Sequence, residues 1–75
     1  MDISQYEIII TRHAVLRAYE RNINTDTIED IVLNSKKQTF GKHYAKWTRK
    51  YDNIEIICVG YIENNVIKII TVETK

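Results

Sequence analysis

At 75 residues the chain has room for one domain, 1–75, and folding covers only about 60% of the unfolded surface, which excludes an elaborate multi-domain enzyme. Its 44% hydrophobic and 28% charged residues describe a globular chain, not a disordered one, and no apolar run approaches the roughly 18 residues of a membrane span. A net charge of +1 argues against a bulk polyanion binder, yet Lys36, Lys37, Lys42, Lys46, Arg49 and Lys50 fall between Asp30 and Asp52 with no acid among them. Such a segment forms a local basic patch or, more simply, a solvated strand and loop.

"MDISQYEIII" lacks the basic start and long apolar block of a leader, so the cytoplasm is the expected location. "YEIII" reads as a short first strand, with Thr11 as N-cap of a helix running from Arg12 to about Asn22. At roughly 100° per residue, His13, Arg17, Glu20 and Arg21 share an arc of about 100°. The opposite arc, Val15, Ala18 and Tyr19 flanked by Ala14 and Leu16, is expected to bind the helix to the rest of the protein. Arg17 and Arg21 are like charges at i,i+4, which is unfavourable unless a carboxylate or a bound anion answers them.

A second helix follows in "INTDTIEDIVLNS". Asn24 is its N-cap, Ile23 and Ile28 form a hydrophobic staple, and Ile28, Ile31 and Val32 make the buried stripe. Asp26, Glu29 and Asp30 lie toward its N-terminal half, where carboxylates suit the dipole.

After Ser35 the pattern turns to β. "KQTFGKHYAKWTRKY" alternates through its second half, "IEIICVGYI" is nearly all apolar, and "VIKIITVET" alternates again. Asp52-Asn53 and Asn64-Asn65 suit tight hairpins because Asn and Asp tolerate positive φ. Gly41 and Gly60 mark a bulge or a close backbone approach. Two-residue loops pair Trp47 with Cys58, Lys50 with Glu55, Cys58 with Thr71, Gly60 with Ile69 and Ile62 with Ile67. One face then carries Ala45, Trp47, Ile54, Ile56, Cys58, Ile62, Ile67 and Ile69 for the helices. The other carries Tyr44, Lys46, Thr48, Lys50, Tyr61 and Lys68 around Ile57, Val59 and Ile70. Lysines among tyrosines suit RNA, an ordinary exposed sheet and a homodimer surface alike. The expected fold is α+β, a short N-terminal strand and two helices packed on a three- to four-stranded antiparallel sheet.

Several chemistries drop out. Cys58 is read as a core thiol, two histidines give no metal-ligand spacing, and phosphate-cradling glycine loops are absent, so no metal or cofactor is expected. His13, Arg17 and Arg21 remain. Metal-free RNA cleavage needs a proton acceptor for the 2′-hydroxyl, a proton donor for the departing 5′-oxygen, and cations for the phosphorane. One helix face holds that minimum, although the same residues also describe a solvated face with Glu20 as a local ion-pair partner. His43, after the Gly41 bend, is a candidate for the second proton role, or is simply exposed.

"ITRHAVLRAYERNI" resembles the opening of a small domain-of-unknown-function family with the pattern Ile-Thr-x-His-Ala-x-x-Arg-x-x-Glu-Arg-x-Ile, matched by Ile10, Thr11, His13, Ala14, Arg17, Glu20, Arg21 and Ile23. "IITVET" supplies Ile70, Thr71 and Val72 of its Ile-Thr-Val-Tyr-like end, with Glu73 where the family often has an aromatic residue. That family is grouped with RelE-, ParE- and BrnT-like toxins. The resemblance implies a RelE-like fold and a metal-independent endoribonuclease, the toxin of a toxin–antitoxin pair. Its catalytic residues would be His13, Arg17, Arg21 and Thr71, and its partners an antitoxin and RNA, ribosome-associated or free. Tyr44, Lys46 and Lys50 would position the RNA. The alternatives are a non-catalytic RNA- or protein-binding module and a small structural homodimer.

Overall fold

A computed structural model describes residues 6–75; residues 1–5, the start of the stretch read as lacking a leader, lie outside the described residues. Its elements are β1 (Glu7–Ile10), α1 (Arg12–Glu20), α2 (Thr25–Asn34), β2 (Lys37–Phe40), β3 (Tyr44–Tyr51), β4 (Ile54–Glu63) and β5 (Val66–Thr74). The strands form one sheet in the order β1-β5-β4-β3-β2. Two helices carry the chain from the β1 edge to the β2 edge, and an antiparallel meander walks back until β5 lies parallel to β1.

The α+β class is as expected, but the sheet is larger and mixed. The reason is local at one edge and global at the other. Gly41, at φ 63°, turns the chain so that Lys37–Phe40 folds back on β3 as a separate strand. At the opposite edge β1 adds in parallel, a pairing that only the return of the whole meander creates.

Local chemistry explains the ends of the elements. Thr11 caps α1 by accepting from the Ala14 N–H, and its own N–H and hydroxyl both donate to the Ile69 carbonyl, at 3.1 and 2.8 Å. The helix closes in a Schellman arrangement: Ile23 N–H donates to the Ala18 carbonyl, Asn22 N–H to that of Tyr19, and Asn22 takes φ 59°. Asn24 accepts from the Thr27 N–H at 2.8 Å and starts α2. Asn64 and Asn65, at φ 52° and 64°, make the two-residue turn between Glu63 and Val66.

Both helices lie on one face of the sheet. Trp47, Ala45, Cys58, Ile67, Ile69 and Val72 are fully buried there against Ala14, Ala18, Ile28, Ile31 and Val32. Ile62 is half-buried, and Ile54, next to the Asp52-Asn53 turn, is exposed. Val72 takes the place expected of Thr71 because Ile70 is an extra residue in β5: Val59 pairs with Thr71 and Gly60 with Ile69, so Cys58 faces Val72. Gly60 permits this. A Cβ there would stand 3.0 Å from both the Lys68 carbonyl oxygen and the Trp47 ring.

The orientation of α1 differs from the expectation. Ala14 and Ala18 are buried with Arg17 and Arg21 half-buried beside them, whereas Val15, Leu16 and Tyr19 point to solvent, Tyr19 at 80% exposure. Two alanines let the helix approach β5 closely, and the arginines flank that seam instead of lying opposite it.

Candidate nucleic-acid interface

Neither helix covers the second face of the sheet. Directly paired residues share a face, so the ladder lays out ranks across it. One rank crosses all five strands: Ile9, Lys68, Tyr61, Tyr44 and Phe40. Phe40 stacks on Tyr44 with ring centroids 5.6 Å apart, Tyr44 meets Tyr61 edge-on at 5.2 Å, and His43 lies tilted on Tyr61 at 5.2 Å. The Tyr61 hydroxyl donates to Glu63, and burial, followed by that carboxylate, raises its pKa, which keeps the phenol neutral. The next rank runs Gln38, Lys46, Val59 and Thr71. Lys46 lines a groove of about 430 Å³ with Lys36, Lys37, Gln38 and Thr48. Lys50 shares this face but sits opposite Glu55.

The two guanidiniums meet their counter-charge at the β5 rim. Arg17 Nη2 donates to Glu73 Oε1 and Arg21 Nη2 to Glu73 Oε2, each at 2.9 Å, and the Thr71 hydroxyl donates to Oε1 at 3.2 Å. Arg21 Nη1 also donates to the Arg17 carbonyl. Glu20 is exposed and is not the partner; it adds only the weakest favourable charge at Arg17. His13 is exposed near the start of α1, four residues before Arg17 and about 40° from it around the helix. His43 lies with Tyr61, not with the arginines.

Thus Arg17, Arg21 and Thr71 converge, His13 lies on their flank, and Tyr44 and Lys46 belong to the open face. Glu73, Phe40 and Lys68 complete the arrangement. A like-charge pair that required an answering carboxylate was the signal for Glu73, and it came from 52 to 56 residues away.

The Arg17 hydrogen bond holds the Glu73 carboxyl below its ordinary 4.5, burial opposing, with the charges of Arg17 and Arg21 and the Thr71 hydroxyl adding to the lowering. Because the folded value lies below the unfolded one, the stabilisation is complete above the unfolded pKa and is lost as pH falls through the folded one. The melting-temperature advantage of wild type over Glu73→Gln is therefore expected to be constant near neutrality and to shrink below about pH 4.5. An unchanged gap down to pH 3 would show that the ion pairs contribute nothing.

Cys58 is buried, and burial pushes its thiol up to about 12, so it is inert at neutral pH. Among the described residues no three His, Cys, Asp or Glu side chains gather as a metal site, and no helix is long and apolar enough to cross a membrane.

The model of the domain of unknown function DUF4258 matches residues 10–74, from the last residue of β1 to the end of β5. The chain belongs to the DUF4258 family. The match covers α1, the whole meander and Glu73, so both the rim cluster and most of the open face lie inside the DUF4258 domain. No curated protein and no solved structure is found to match the chain.

Proposed function

We propose that this DUF4258 domain binds single-stranded RNA across the open face of its sheet and cuts it, without a metal, at the β5 rim. The observation that carries the reading is the five-strand rank of Ile9, Lys68, Tyr61, Tyr44 and Phe40 on a face that no helix covers. Aromatic rings accept unpaired bases, and Lys46, Lys68 and the groove lysines meet phosphates. Cleavage rests on a second observation: His13 is exposed one helical turn before Arg17, which together with Arg21 already holds an anion. The 2′-oxygen attacks phosphorus, a P–O2′ bond forms and the P–O5′ bond breaks. His13 takes the 2′-hydroxyl proton while water protonates O5′, or the two exchange roles, leaving a 2′,3′-cyclic phosphate and a 5′-hydroxyl. The family that the opening motif resembles is grouped with RelE-, ParE- and BrnT-like toxins, which makes an antitoxin the protein partner to look for.

The test is titration of a labelled single-stranded RNA at two salt concentrations, with a parallel EDTA incubation of wild type and His13→Ala. Expected are salt-sensitive binding by both proteins and cyclic-phosphate ends from wild type alone. Absence of binding overturns the whole reading. Binding without cleavage leaves a recognition module, and a concentration-dependent melting temperature without RNA affinity points to a homodimer.

A further inference from the structure

We infer that Glu73 occupies a phosphate-binding site of its own chain, and that Arg17, Arg21 and Thr71 grip a phosphate group once that carboxylate is displaced. The source of the phosphate rests on the RNA reading; the site itself does not.

The donors converge as they would on an oxyanion. Each carboxylate oxygen takes one guanidinium at 2.9 Å, and Thr71 adds a hydroxyl to Oε1. A phosphodiester also offers two non-bridging oxygens, and arginine forks match them well. The carboxylate leaves one buried donor unused: Arg17 Nε is shielded from solvent and has no acceptor. A tetrahedral anion brings more oxygens than a carboxylate and can answer that donor as well.

Displacement is feasible at this position. The side chains of Arg17, Arg21 and Glu73 are 36, 24 and 37% exposed, so solvent and a ligand reach the cluster, and ion pairs this open are individually weak. Thr71 shares its rank with Lys46, so a strand of RNA on the open face arrives at the rim with a phosphate two strand spacings, about 10 Å, from that lysine. His13 waits on the flank of Arg17. Glu73 then acts as an internal competitor that a passing chloride or free phosphate does not easily remove, but that a polyanion held across the face does.

The experiment follows the arginine side-chain N–H signals by NMR while inorganic phosphate is added to wild type, Glu73→Gln and Glu73→Ala. An intramolecular carboxylate competes at an effective concentration in the millimolar range, so its neutralisation is expected to tighten phosphate binding about tenfold, with saturable shifts at Arg17 and Arg21. Glu73→Gln keeps the shape if Glu73→Ala loosens α1, and Arg17→Ala added to Glu73→Gln is expected to abolish the gain. Equal phosphate affinity in folded wild type and Glu73→Gln overturns the site. A short single-stranded RNA is then titrated in the same way. A gain for phosphate without a gain for RNA keeps the site and overturns only the RNA source.

Discussion

Trp47→Ala is expected to leave the chain largely unfolded at 37 °C. The indole is fully buried, is the largest side chain in the core, and stands under Gly60, whose missing Cβ is what admits its ring. Truncating a buried tryptophan costs about 3–5 kcal/mol. A domain of this length holds only about 4–11 kcal/mol in total, at roughly 0.05–0.15 kcal/mol per residue. The loss removes a large share of the stability, and a fall in Tm of more than about 15 °C is the expected reading by far-UV circular dichroism. Trp47→Phe separates volume from chemistry. The indole Nε1 is buried without a partner, so phenylalanine gives up ring volume but also removes an unanswered donor, and its penalty should fall well below that of alanine. A cooperative melt of Trp47→Ala within a few degrees of wild type would show that the ring is not the centre of the core.

The parts of the fold that could be read from the sequence are those with local causes. Thr11 and Asn24 announce helix starts because a side-chain oxygen three residues before a free N–H is enough to cap it. Asn64-Asn65 announces a hairpin because both residues tolerate positive φ, and the pairings Trp47–Cys58 and Ile62–Ile67 follow from two-residue turns. What could not be read depends on distance. The extra residue at Ile70 shifts the register within β5, so Val72 and not Thr71 enters the core; no local property of Ile70 marks it. The β1–β5 pairing joins residues nearly 60 positions apart. Periodicity points to a different face of α1 because it counts apolar residues, while the helix docks through its smallest ones, Ala14 and Ala18. That docking turns Arg17 and Arg21 toward β5, where Glu73 answers a charge conflict that the sequence posed but did not resolve. The candidate site was therefore half legible: its cations were visible at helical spacing, and its anion was not.

Replacing Tyr44 and Tyr61 together by alanine is expected to weaken single-stranded RNA binding by about a hundredfold, roughly tenfold for each ring that supports one base. The two rings meet edge-on in the middle of the rank, with Phe40 stacked on Tyr44 and His43 tilted against Tyr61, so their removal breaks the aromatic surface at its centre. The fold should survive, because Tyr44 is exposed and neither residue belongs to the buried core. Lys46→Ala provides the contrast. A lost phosphate contact lowers affinity for every sequence and reduces the salt slope by about 0.7 for a single strand, whereas lost stacking lowers affinity with the slope unchanged. The pair of measurements thus separates the two halves of the recognition. If the double tyrosine variant binds as wild type does while remaining folded, bases do not stack on this face, and the charge of Lys68 and of the lysines around Lys46 carries the attraction. If instead the tyrosine variant loses affinity together with its salt slope, the rank positions the strand for the lysines, because removing rings that carry no charge has then removed phosphate contacts.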